Sequence, residues 1–426
     1  MDEVAAVRRS GFGYALRAFR HRDYAVFWTG ALVSNSGTWL QGVTVPYVLL
    51  ELTGRASWVG IATLANFLPA VLLSPLGGSL ADRYDRRRVL LVGQSLAALL
   101  ALALWAAWLG GVRSPWAIVA LTALGGTVQG GTTAAWQAFV PSLVPLEDLP
   151  SAISLNSLQF NAARAIGPAM AGGLLAAAGP SAAFLLNGLS FVAVLGALLV
   201  IASPPQVHPE THPGVLRGFT ESVRYIRGQP GIRLAIVIAV LVAFLGYPAV
   251  QFAVVFADFV YRVGPVALGL LTGVVGVGAV AAAPFVSGAF GDLPRERIAR
   301  WSLPFYGVAL LVFGTSTTVV QGAIGLFGVG AGFLALVATT NTAVQSIVAD
   351  HMRGRVMATR IMSFTAAFPL GTLIQSALAD ATSPRLVVSA AAILLLVGGA
   401  VLVAVPGLLA RLDDPPDRDD ALPTQS

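Results

Sequence analysis

Two stretches of this chain place reactive residue types at a defined spacing. The first is Gly78-Ser-Leu80-Ala-Asp82-Arg83-Tyr-Asp85-Arg86-Arg87-Arg88, a pair of carboxylates among arginines behind a glycine-rich helix end. Its chemistry is ion pairing and the capping of helix termini. The second is Asn161-Ala-Ala-Arg164-Ala-Ile-Gly167-Pro168, followed by Gly172 and Gly173. Arg164 lies about 12 residues, and so about 18 Å, into an apolar run, where inserting an arginine costs roughly 2.5–3.5 kcal/mol. Either it lines a wet cavity and attracts an anionic or carbonyl-rich ligand, or it donates to carbonyls of adjacent helices. In the second case it braces the kink that Pro168 introduces once it removes a backbone donor.

Other chemistries find no residues to carry them. The chain has no cysteine, which excludes disulfides, thiolate metal sites and a Cys nucleophile. His21, His208, His212 and His351 all fall in polar segments and are expected to be solvated. No metal cluster, nucleotide-binding glycine loop or converging acid/base pair is visible, so neither a cofactor nor an enzymatic activity is expected. The net charge of +6 comes from arginine alone and is scattered along the chain, which does not suggest nucleic-acid binding.

The elements that must position these residues are membrane spans. Hydrophobic residues make up 56% of the chain and charged ones 11%, the reverse of a solvated surface. Apolar runs bounded by charge or Gly/Pro fall at 24–50, 57–80, 89–110, 115–140, 152–178, 181–202, 232–256, 266–290, 299–316, 319–345, 356–379 and 385–409. Each is about the 20 residues needed to cross roughly 30 Å of hydrocarbon. The first run begins too late and is too long for a cleaved signal peptide, so it is expected to remain. Arginines crowd alternate loops: Arg8 to Arg22, Arg83 to Arg88, Arg217 to Arg233, Arg295 to Arg300 and Arg353 to Arg360 lie on one side. Only Arg55, Arg113, Arg262 and Arg385 lie on the other. Because basic loops stay in the cytoplasm, both termini are expected there, in a cytoplasmic (inner) membrane.

The polar break at 203–231 divides the chain. The reading is a cytoplasmic segment at 1–23, a six-helix bundle at 24–202, a linker, a second six-helix bundle at 232–409, and a disordered acidic tail at 410–426. In the linker Leu216, Phe219, Val223 and Ile226 recur at helical spacing, as in an interfacial or a solvated helix. The halves echo each other: Asp82 and Asp292, Gln137 and Gln345, Arg20 and Arg227 are offset by 210, 208 and 207. Six spans separate each pair, so the repeat is parallel and encloses a central cavity.

The Gly-x-Leu-Ala-Asp-Arg-x-x-Arg-Arg loop resembles the signature of the major facilitator superfamily, with Asp85 where glycine is usual. The six-plus-six layout and the degenerate second copy at Asp292 extend the resemblance over the whole chain. The Gly167-Pro168 stretch is similar to the Gly-Pro motif of that superfamily's exporters, although Ala171 replaces one glycine. Phe19-Arg20 and Asp350-His-Met-Arg353-Gly354-Arg355 resemble the enterobactin-exporter and macrolide-efflux branch. The resemblance implies a gate in which Gly78, Asp82, Arg83, Arg86 and Asp292 work with Arg353 or Arg355. It also implies that the first, fourth, seventh and tenth spans face the cavity.

Candidate cavity residues are Asn35, Thr38, Trp39 and Gln41 on the first span, Gln129 and Trp136 on the fourth, and Asn161 and Arg164 on the fifth. The second half adds Tyr247 and Gln251 on the seventh, Asn341 and Gln345 on the tenth, and Arg360 on the eleventh. Asp258 and Glu51, near the outer rim, are the coupling candidates. The expected function is export of an amphipathic small molecule by alternating access, coupled to protons or another ion, by a monomer in a lipid bilayer. Uptake of a nutrient by the same fold is the rival reading, and a membrane enzyme a more distant one.

Overall fold

The computed structural model describes residues 16–202, 215–285 and 293–415. Its elements are helices: α1 (Arg22–Thr53), α2 (Ser57–Arg83), α3 (Arg86–Leu109), α4 (Pro115–Ser142) and α5 (Leu149–Val200) precede residue 203. After it come α6 (Val215–Gly228), α7 (Pro230–Leu241), α8 (Pro248–Val255), α9 (Pro265–Pro284), α10 (Arg295–Thr315), α11 (Val319–Ile347), α12 (Arg353–Ala381) and α13 (Pro384–Ala404). Proline opens α4, α7, α9 and α13, where its missing N–H costs nothing. Thr318 and Ser383 cap α11 and α13 with their hydroxyls.

Among the described residues nine helices are long and apolar enough to cross a membrane. The others that are long enough are α1 and α4, the two helices that carry the polar stripes of the first half. One of the nine contains α5, whose 52 residues would run roughly 78 Å if straight, well beyond one crossing. Gly179 interrupts it with φ +71° and ψ −176°, a conformation that suits glycine. The expected fifth and sixth spans are thus continuous in hydrogen bonding but turn back on each other at that residue.

The seventh span is not a uniform α-helix. Between α7 and α8, residues Val242–Gly246 form a π-helical turn, and a second one follows at Phe256–Val260. Pro248 cannot donate to the carbonyl of Phe244, four residues earlier. Gln375 on α12 supplies the missing donor, with its Nε2 donating to Phe244 O at 2.8 Å and to Leu245 O at 3.2 Å.

A ladder of side-chain bonds sets α1 against α5. Tyr24 Oη donates to Ala152 O and Trp28 Nε1 to Leu155 O, each at 2.8 Å, and Asn35 Nδ2 donates to Gln159 Oε1 at 3.3 Å. Both members of each rung advance together, so α1 and the part of α5 before Gly179 run in the same direction. Before residue 203 the helices pack as α1 on α5, α2 on α4, and α3 on both α4 and α5; after it, α11 packs on α9 and α10, and α10 on α13. The two sets meet where α2 crosses α12 and α5 crosses α9. At the second crossing, a Cβ on Gly172 would lie 2.8 Å from Gly269 Cα, so only glycine allows the approach.

The linker helix α6 does not float. Ser222 is fully buried, Thr359 Oγ1 donates to Ser222 Oγ at 2.9 Å, and Ala349 N donates to Tyr225 Oη at 3.1 Å. The tail reading needs a correction. Residues Leu409–Asp413 form a turn, and the Asp413 carboxylate accepts from Arg295 N at 3.0 Å and Glu296 N at 2.9 Å. A carboxylate at the start of α10 satisfies N–H groups that the helix leaves unpaired, which orders the chain past the expected boundary at 410.

Candidate functional site

The signature loop splits into parts with different tasks. Asp85, the departure from the superfamily pattern, is the N-cap of α3, with its side chain accepting from Arg88 N at 2.8 Å. Arg87 donates to the last carbonyls of α5, Leu198 O and Leu199 O. Arg86 Nη1 reaches Ala138 O on α4 at 3.4 Å. These two arginines are bolts between helix ends as well as charges on a loop. Arg83 is exposed, and open space surrounds the position of a Cβ on Gly78.

The expected partners of Asp82 are engaged on their own side. Arg353 pairs with Asp350, and Arg355 Nη1 donates to Glu221 on α6 at 2.8 Å. Asp292 lies outside the described residues. At the other end of α2 the two sets of helices are clasped. The Asp380 carboxylate on α12 accepts from Ala56 N at 2.6 Å and Ser57 N at 3.1 Å, with Arg55 Nε at 3.7 Å.

Arg164 meets neither a carboxylate nor a carbonyl among the described residues; its guanidinium faces rings. Its carbon lies 5.6 Å from the Trp39 centroid, 5.5 Å from Tyr247 and 5.7 Å from Phe333, all within cation–π range. The rings come from α1, from the turn between α7 and α8, and from α11, so one side chain joins both sets of helices. The aromatic group continues through Phe160 against Trp39 and Phe364, Phe368 and Phe67 beyond Tyr247. Phe333 and Phe368 were not among the residues singled out from sequence, because a phenylalanine in an apolar helix carries no sign of its neighbours. Gly167 and Pro168 are both buried in α5, which continues through them.

A cavity of about 500 Å³ lies among the helices before residue 203. Of the expected cavity residues, Asn35, Thr38, Gln41, Gln129, Trp136 and Asn161 line it. Trp39, Arg164 and Tyr247 form the aromatic box instead. Asn66, Gln94, Asn156, Gln159 and Asn187 also line the cavity and went unremarked in the sequence, where an amide in an apolar run carries no sign of what it faces.

The second half contributes less than expected. Arg360 is a correction: it is 6% exposed and donates to Asn341 Oδ1 at 3.2 Å, Val337 O at 3.2 Å and Thr340 Oγ1 at 3.1 Å. It ties α12 to α11, with the Asn341 oxygen as one of its acceptors. Gln345 is exposed, and Gln251 lies one turn beyond Tyr247 and off the cavity wall. Asp258 and Glu51 are exposed, and Glu51 accepts from Tyr47 Oη at 2.5 Å. His21 is held rather than merely solvated: its Nε2 is 2.8 Å from the buried Asp148, which also meets Arg17 at 3.2 Å.

The family model for the transmembrane secretion effector matches residues 14–415. The chain belongs to that family. As a member of that family, within the major facilitator superfamily, it is a multi-pass integral membrane protein of a transporter family. It is 27% identical over 412 residues to the multidrug efflux pump Tap of Mycobacterium tuberculosis, covering 93% of this chain and 96% of that one. It is 25% identical over 422 residues to the enterobactin exporter EntS of Citrobacter koseri, with 95% and 96% covered. Its fold matches a bacterial homologue of the lysosomal transporter Spinster, in an inward-facing unoccupied conformation, at a TM-score of 0.68. That match has 15% identity and covers 95% of this chain and 98% of the other. The expected resemblance to the efflux and siderophore-export branch is therefore correct for this chain.

Proposed function

We propose that the chain is a secondary active exporter of an amphipathic small molecule across the cytoplasmic membrane, working by alternating access and driven by protons. Its helices make twelve spans in two six-helix bundles, with both termini cytoplasmic: α5 counts twice because of Gly179, and α7 and α8 form one span across a π turn. The observation that carries the reading is the uneven closure of the two halves. At the outer rim Asp380 clasps the start of α2. At the cytoplasmic rim Arg353 and Arg355 are bound to Asp350 and Glu221, away from Asp82. A clasp at the outer rim, with Arg353 and Arg355 each paired on its own side of the cytoplasmic rim, is the arrangement expected of an inward-open state.

In this reading Asp82 trades places with Glu221 as the partner of Arg355 when the inner gate shuts, while Asp380 releases α2. Arg164 and its rings sit between the halves and must rearrange in the same step. Glu51 and Asp258 carry the coupling proton. The names of the efflux pump and the siderophore exporter among the relatives support export over uptake.

The test is transport by purified protein in proteoliposomes with an imposed pH gradient, against a panel of antibiotics and siderophores. Inside-out oriented vesicles, acid within, should accumulate a substrate and lose it when a protonophore is added. Accumulation only in right-side-out vesicles would mean uptake, and indifference to the gradient would remove proton coupling.

A further inference from the structure

Ten asparagines and glutamines precede residue 203, and all ten line a single cavity. They come from each of α1 to α5, so no single helix face accounts for the convergence. Trp136, Phe160 and Phe191 add ring surface, and among the described residues no Asp, Glu, Arg or His lines the wall.

Three amides of the second half show what structural use looks like. There Gln375 replaces the donor that Pro248 lacks, Asn341 accepts from Arg360, and Gln321 accepts from Thr317 N. Each is spent on a backbone or side-chain partner. In the cavity the two buried pairs are incomplete. Gln159 and Asn187 are 1% and 3% exposed, and each bonds another amide, Asn35 at 3.3 Å and Gln41 at 2.6 Å. Yet Gln159 Nε2 and Asn187 Oδ1 have no hydrogen-bond partner among the described residues. A buried donor and a buried acceptor left open cost free energy, roughly 1–3 kcal/mol each, which interhelical packing alone would not retain.

A carboxamide donates and accepts without charge. The ligand group that answers a wall of carboxamides is one that also donates and accepts without charge, the hydroxyl, while ring faces suit the apolar edge of the same molecule. An ion would lose its water there and gain no counter-charge. The volume is that of a small-molecule site, which typically spans roughly 300–1,000 Å³. We infer that this amide-lined cavity binds an uncharged, hydroxyl-rich portion of the transported molecule, a polyol-like or glycosyl-like group. The inference rests on the exporter reading, whose substrate it narrows.

The experiment uses full-length protein in lipid nanodiscs and three probes with the same tail: hexyl β-glucoside, hexyl sulfate and hexyltrimethylammonium. Binding is followed by calorimetry, with empty nanodiscs subtracting partition into lipid. The glucoside should bind saturably, and neither ion should displace it. Gln129→Leu and Asn161→Leu, both at exposed positions on the wall, should each weaken it at least tenfold, while Gln251→Leu, off the wall, should not. Gln129→Glu provides a gain-of-binding check that a misfolded protein cannot give, because it should admit the ammonium probe. Displacement of the glucoside by hexyl sulfate, unchanged affinity in both leucine variants, or no saturable binding by the parent protein would overturn the inference. If glucoside binding holds while vesicles show no gradient-driven movement of any substrate, the cavity stands and the exporter reading falls.

Discussion

The guanidinium carbon of Arg164 lies 5.5 Å from the centroid of the Tyr247 ring, and the two residues belong to helices on opposite sides of the linker. A cation between ring faces contributes about 0.5–2 kcal/mol at each face, more where water is excluded. Tyr247→Phe keeps the face and should leave thermal stability and transport close to the parent. Tyr247→Leu removes it and should lower both, transport about tenfold. Arg164→Lys keeps the charge but not the planar fork, so partial transport is expected, with Arg164→Ala lower still. Transport by Arg164→Ala at the parent rate would separate this contact from the cycle.

Asp380 holds the N-terminus of α2 through two backbone donors. A charged cap at a helix N-terminus contributes about 0.5–2 kcal/mol. Asp380→Asn should therefore shift the population toward the outward-open form roughly fivefold, since about 1 kcal/mol changes an equilibrium by that factor. The chain has no cysteine, so a single Ser376→Cys label reports the opening cleanly. External reagent should modify that position faster in the Asp380→Asn background; equal rates would mean that the clasp does not set the balance.

Gly172 and Gly269 touch across α5 and α9. Gly172→Ala places a methyl group where backbone already stands and should force the helices apart, at a cost of about 1–3 kcal/mol for overpacking. The expected outcome is a lower unfolding temperature in detergent with transport reduced several-fold. Gly173→Ala, with nothing within 4 Å of the new atom, is the matched control and should behave as the parent.

Asp82→Asn keeps the shape of the side chain and removes the charge that Arg355 is proposed to receive. Transport should be abolished with expression intact. The companion Glu221→Gln frees Arg355 in the state described and should favour closure of the inner gate, read as slower labelling of a cysteine at Gly78. Undiminished transport by Asp82→Asn would remove the latch.

Arg360 donates to three oxygens on α11 from a buried position. Arg360→Lys cannot reach all three with one ammonium, and Arg360→Ala removes all three bonds. Both should lower the unfolding temperature, the alanine by more, at about 3 kcal/mol or above. A variant as stable as the parent would return Arg360 to the list of ligand candidates.

Sequence alone determined the solvent, the length and number of the apolar runs, and the loop that carries Asp82. These are local properties: an apolar run must be long enough to cross, and an arginine cluster must stay on the side where it is made. The position of Arg164 was legible too, because a charge deep in an apolar helix is costly wherever that helix packs. What faces a side chain depends instead on residues far away in the chain. Only the tertiary structure placed Tyr247 and Phe333 around Arg164, turned Arg360 from a cavity residue into a tie between α11 and α12, and gave Asp413 the start of α10 to cap. It also gathered amides scattered from Asn35 to Asn187 onto one wall. Amides spread over five helices look like packing glue in one dimension, and become a surface only when those helices close around the same space.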